Sequence, residues 1–227
     1  MARVTFDWKT GAWPRAERRY ASEYLVEAFS FAHDYVTRVL GLHATTTLVR
    51  PHETYRRTQT RAVSIDTNII EIYFTEDEIR HRKLAKKDQE LTTTLVHEMI
   101  HGIRESVFAY GCGGIVERIA SEGIAYVAQA YAEMDIFDAP HTATVLHDAI
   151  PAHNLLYELY NEPHFDTDLK DHPNGEYDLD CWMKDGRSRP YGVGQRLGVH
   201  CVKDTIENNG HDFLGIIHMP AQDIIGI

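Results

Sequence analysis

His97-Glu98-Met99-Ile100-His101 sets two imidazoles four residues apart with a carboxylate beside the first. On a helix, four residues turn through about 400°, so the two rings stack on one face and can grip a single ion. Neutral imidazole is a good zinc ligand, and two rings from one rigid helix need little additional ordering. Glu98 lies about 100° round from His97. That brings it near enough to take the proton from a water activated by the ion as the water attacks a carbonyl. The chemistry such a pattern points to is metal-assisted hydrolysis, with zinc as the expected cofactor.

A catalytic zinc has three protein ligands and one open position, so a third ligand must come from elsewhere in the chain. The next predicted helix carries two carboxylates, Glu117 and Glu122. They stand about 140° apart round that helix and cannot both face one ion. His141, His147 and His153 are further alternatives. Hydrolysis also needs a donor for the developing oxyanion, and Tyr191, Arg196 and His200 lie on or beside the last long predicted helix. Glu105 shares a helix face with His101 and is a candidate to orient an imidazole; plain surface exposure is the simpler expectation. Cys112, in a glycine-rich stretch, has no base beside it in sequence and reads as a small filler.

The residues around the motif also fit the stricter flanking pattern of zinc peptidases: Thr94, Leu95, Met99, Ile100 and Ile103. The metzincin pattern would need glycine at 104 and histidine at 107, where Arg104 and Val107 stand, so that class is excluded. Twenty residues separate His101 from Glu122, which sits in Ser121-Glu122-Gly123-Ile124-Ala125. This resembles the gluzincin arrangement, in which a ligating glutamate follows on the next helix in a Glu-Gly-x-Ala context. With Tyr191-Gly192-Val193-Gly194-Gln195-Arg196-Leu197-Gly198 added, the chain resembles the bacterial family of predicted zinc-dependent proteases over about residues 60 to 220. The third motif departs from that family's more frequent Gly-Tyr order. The resemblance implies a zinc metallopeptidase with His97, His101 and Glu122 as metal ligands, Glu98 as general base and Tyr191 as an assisting catalytic residue.

Positioning these groups requires particular elements. Pro14 can open a helix in which Tyr20, Tyr24, Ala28, Phe31, Tyr35 and Val39 recur at helical spacing, stopped by Gly41. Extended segments are expected at Thr45 to Arg50, closed by Pro51, at Arg61 to Ile65, and at Asn68 to Phe74. The last two form a hairpin through Asp66-Thr67-Asn68. Thr75 and Glu78 suggest a capping box. Asp88 opens the motif helix, which is apolar on more than one side and therefore mostly buried. Helices follow at Ile115 to Met134, Thr142 to Ile150, Ala152 to Tyr160 and Tyr191 to Asn208. A loop-rich stretch from 161 to 190 precedes the last of them. Asn68 to Phe74 is expected to be the edge strand along a substrate cleft, open to an extended peptide by strand addition.

At 227 residues with ordinary apolar content, the chain suits one domain of two lobes. The expected fold is α+β and zincin-like. A small antiparallel or mixed sheet and the motif helix fill about residues 1–110, and a mostly helical lobe fills about 111–227. A formal charge of -11 argues against nucleic acid as the main partner. The basic run Arg80-His81-Arg82-Lys83 reads as a solvated helix face. No stretch has the length of a membrane span or the look of a secretory leader. Cys112, Cys181 and Cys201 are not in CxxC pairs, so thiols in the cytoplasm are expected. The expected partner is a peptide or protein substrate. Two other classes remain open: a non-catalytic zinc-binding module and a metal-free helical interaction protein.

Overall fold

The structure, a computed structural model, describes residues 5–7, 15–54, 61–75, 88–108, 114–138 and 193–226. It is a mixed α+β fold with a small mixed sheet and mostly helical content. The chain divides into two compact units, Met1–Ile103 and Arg104–Ile227. Among the described residues, no helix is long and apolar enough to cross a membrane.

In the first unit, strand β1 (Thr5–Phe6) precedes helix α1 (Arg15–Asp34), which widens into a π-turn over Tyr35–Val39. Within that turn the Thr37 hydroxyl donates to the His33 carbonyl at 2.8 Å, and Leu40 N–H reaches back five residues to Tyr35. The buried stripe is Ala21, Leu25, Ala28, Phe29 and Ala32 of α1 with Tyr35 and Val36 of the π-turn, so Ala28 and Tyr35 are buried as expected. Phe31 and Val39, expected on it, are exposed. Alanines mark the packed face because they allow close approach, and the extra residue in the π-turn rotates Val39 outward.

Strands β2 (Leu48–Thr54), β3 (Arg61–Asp66) and β4 (Ile69–Thr75) join β1 in the order β1-β2-β4-β3. β2 pairs in parallel with β1 and β4, and β3 pairs antiparallel with β4 through the expected hairpin. Asp66 Oδ1 accepts from the Thr67 N–H in its turn at 2.7 Å.

Two strand expectations need correction. Asn68 to Phe74 is not the edge: β4 lies between β2 and β3, and β3 is the border among the described strands. Nor does Pro51 close β2, since the strand continues through it to Thr54, with Pro51 opposite Ile72. The reason is directional. Asp7 N–H donates to Val49 O, so residues 49 and 51 turn their backbone groups toward β1, which has ended by that point. The N–H that proline lacks would have met neither β4 nor the two residues of β1.

One sheet face is apolar and buried, with Val49, Ala62, Ile70, Ile72 and Phe74. The other carries Arg50 and His52 opposite Glu71 and Tyr73. There the Tyr73 hydroxyl donates to Glu71 at 2.7 Å, His52 lies 3.4 Å from Glu71, and the His52 and Tyr73 rings stack at 5.0 Å.

Helix α2 (Asp88–Val107) begins where Asp88 predicts and runs across the division between the units. From Leu91 to Arg104 every residue except Thr94 is buried, as expected for a helix apolar on several sides. Its Gly102 is a packing requirement: a methyl group there would stand 2.8 Å from the Thr67 carbonyl in the β3–β4 turn.

The second unit holds the end of α2, then α3 (Ile115–Phe137), α4 (Val193–Glu207), α5 (Phe213–Ile217) and α6 (Ala221–Ile225). α3 and α4 cross at Gly123 and Gly198, where a methyl on either would overlap the other helix's backbone. Asp212 caps α5 by accepting from Gly215 N–H at 2.7 Å. The helices expected at 142–160, the loop of 161–190, the capping box at Thr75 and Glu78, and the basic run at 80–87 fall on or run into residues outside those described.

Candidate metal centre

The helix geometry of α2 brings the two imidazoles together as their spacing demands. His97 Nε2 and His101 Nε2 stand 3.1 Å apart, with ring planes at 75° and centroids at 4.7 Å. Two nitrogens bound tetrahedrally at zinc-like bond lengths would lie about 3.3 Å apart, so the pair is set close to a shared-ion geometry. One ligand atom from each of His97, His101 and Glu122 falls within 4.8 Å of the others, and this group could hold a metal ion. Two imidazoles and a carboxylate are a donor set that suits such an ion.

Burial makes the cluster costly without compensation. His97, Glu98 and His101 are 8 %, 9 % and 7 % exposed, in a helix otherwise packed with Leu95, Val96, Met99 and Ile100. Polar groups taken from water into such surroundings need partners or a ligand. The sheet supplies a partner for Glu98, whose Oε2 accepts from the Ser64 main-chain N–H at 2.6 Å.

Glu117, the other carboxylate weighed on α3, is engaged elsewhere. Arg104 Nε and Nη2 meet Glu117 Oε1 and Oε2 at 2.7 Å and 2.9 Å. The remaining terminal nitrogen of Arg104, Nη1, donates to the carbonyls of Ile216, Ile217 and Met219 at 3.3, 2.9 and 2.7 Å. Its guanidinium carbon also lies 3.9 Å over the Phe108 ring. At 1 % exposure Arg104 is fully buried. Sequence reasoning used Arg104 only to exclude the metzincins and missed this role. The available signal was a charge inside a buried helix run, which needs a carboxylate partner.

The other candidates scatter. Glu105 and Arg196 are half-buried and His200 is exposed. Tyr191, Cys112, Cys181, His141, His147 and His153 lie outside the described residues. Cys201 is a buried free thiol whose pKa is pushed up to about 12 by burial, with Asp204 adding to the effect. It is therefore a packing residue and no nucleophile. Tyr131 also titrates high, through burial first and then the nearby Glu207 and Asp135.

No family model matches the chain, and no curated protein or solved structure gives a significant match.

Proposed function

We propose that this chain is a zinc-dependent peptidase of the gluzincin type, with a zincin-like arrangement of its elements. The carrying observation is the convergence of His97, His101 and Glu122 ligand atoms within 4.8 Å beside the buried carboxylate of Glu98. The Glu122-Gly123-Ile124-Ala125 context supports the third ligand, and the engagement of Glu117 by Arg104 removes its main rival on α3. His97, His101 and Glu122 would hold the zinc, which would supply Lewis acidity to polarise a carbonyl and activate water at neutral pH.

The protein's own groups carry the proton. Glu98 accepts it from the attacking water as the water oxygen bonds to the peptide carbonyl carbon. It then delivers that proton to the departing amine nitrogen as the C–N bond breaks. Tyr191 is assigned the donor to the oxyanion on the strength of the family resemblance. The substrate is an extended peptide, and β3, as the border strand, is where its backbone adds to the sheet. The cytoplasm is the proposed setting, in keeping with the buried free thiol of Cys201.

Elemental analysis of protein purified without added metal, paired with cleavage of a fluorogenic peptide library, tests the reading. The expected result is one zinc per chain and cleavage that Glu98→Gln reduces roughly 10²- to 10⁴-fold without loss of zinc. Zinc without cleavage would make the chain a non-catalytic zinc-binding module. No metal at all would leave a helical interaction protein.

A further inference from the structure

We infer that the main-chain N–H of Ser64 is a positioning group for Glu98, so that the border strand of the sheet aims the general base. The inference rests on the role proposed above for Glu98. Among the described strands β3 pairs with β4 alone, and Ser64 stands opposite Ile70 in that ladder. Because its N–H goes to Glu98 Oε2 at 2.6 Å, it points off the sheet at a non-hydrogen-bonded pair. Border-strand donors of this kind ordinarily face water or an incoming strand. Here the donor faces a carboxylate on a buried helix, and such charge-assisted bonds are short and strong.

A second contact holds the same geometry. Glu98 and Gly102 are four residues apart and share one face of α2. The hairpin touches that face twice: Ser64 meets Glu98, and Thr67 packs its carbonyl against Gly102. The Thr45 hydroxyl donates to that same Thr67 carbonyl and fixes the turn from the other side. The carboxylate is therefore held at a set distance from the helix backbone that also carries His97 and His101. A free glutamate side chain would sample several rotamers, and losing the productive one lowers the rate of proton transfer.

The contact restricts the substrate as well. An N–H held by Glu98 is not available to a peptide carbonyl, so strand addition uses the outward groups at Ala62 and stops at Ser64. The irregular register between Ser64 and Asp66 falls at the same place.

Amide hydrogen exchange on the metal-free chain, read by NMR, tests the contact directly. The Ser64 amide should be protected in the wild type. Glu98→Ala should cost at least about tenfold of that protection, with the ladder amides of β3 and β4 unchanged. Ser64→Ala should keep the protection, because the donor is main chain. A Ser64 amide that exchanges freely in the wild type, or is equally protected in Glu98→Ala, overturns the inference.

The functional arm uses Ser64→Pro, which removes the donor at a border position where no ladder bond is lost. Its zinc content and KM for the fluorogenic peptides should match the wild type, while kcat falls roughly 10- to 100-fold. Wild-type kcat in Ser64→Pro, with Glu98→Gln inactive, defeats the positioning role alone. An active Glu98→Gln instead defeats the assignment of the base.

Discussion

Arg104 and Glu117 meet fork to fork, Nε to Oε1 at 2.7 Å and Nη2 to Oε2 at 2.9 Å. The pair joins the last turn of α2 to the first turn of α3, and through Nη1 it also holds the carbonyls of Ile216 and Ile217 at the end of α5 and of Met219 just beyond it. Arg104→Met leaves Glu117 and three carbonyls without their donor. The expected loss is about 3–5 kcal/mol, because the desolvated partners remain. Arg104→Lys should recover little of it, since an ammonium cannot reproduce the planar two-point contact. Urea unfolding of both variants checks this, and a Lys variant as stable as wild type would contradict it.

Separating ligand from support is possible with two glutamates on one helix. Glu122→Ala should weaken zinc binding by at least roughly 100-fold, beyond the effect of losing an outer partner. Glu117→Ala should leave zinc affinity near wild type while lowering stability. Competition against a chelator, run beside denaturant unfolding, gives both numbers for both proteins. Equal zinc affinity for wild type and Glu122→Ala would send the search for the third ligand to His141, His147 and His153.

The crossing of α3 and α4 leaves no space for a side chain at its centre. Gly198→Ala would set a methyl group against the Ile119 carbonyl, and the backbone itself must give way. A cost of about 1–3 kcal/mol is expected, the ordinary range for overpacking a tight core. Thermal unfolding compared with Gly210→Ala controls for the loss of a glycine in general, though not for strain, since Gly210 is a left-handed position with open space around it.

Acid should weaken the sheet through Glu71. Its carboxyl titrates below its ordinary value of 4.5: partial burial pushes the other way, but the Tyr73 hydroxyl, His52 and Arg50 together outweigh it. A depressed folded pKa means the native state holds the proton less tightly than the unfolded chain. The stabilisation is thus complete above about pH 5 and is lost as pH falls through the folded value. Glu71→Gln should lose that part of the acid dependence, measured as the midpoint of urea unfolding between pH 7 and pH 3. Identical slopes for variant and wild type would count against the network.

Which of these features could be read from the residues follows from how local each one is. The motif helix, its start at Asp88 and its burial were legible because periodicity and capping act over a few residues. The hairpin was legible from Asp66-Thr67-Asn68 for the same reason. The place of β4 inside the sheet was not, since its parallel partner β2 is joined to it only after β3 has intervened. The packed face of α1 was legible at Ala28 and Tyr35 and not at Phe31 and Val39, because residue types show a helical period but not where alanines allow close approach or where a π-turn shifts the phase. The Ser64 contact leaves no trace in residue types at all, because its donor is the main chain. Arg104 and Glu117 were both noticed, but nothing in a separation of 13 residues couples one to the other.

Pro51 has a consequence for how copies of this protein meet. On the β1 side of the sheet, Asp7 N–H donates to the Val49 carbonyl, and the next outward position along β2 is a proline. A strand from another molecule that tried to extend β1 would find no donor there. The described strand on the opposite side, β3, carries no proline, and Glu98 takes the N–H of its Ser64. The two margins of the sheet therefore differ in their tolerance of company. Among the described strands, proline therefore discourages β-pairing between copies beyond Val49 on one margin, a safeguard that the other margin lacks.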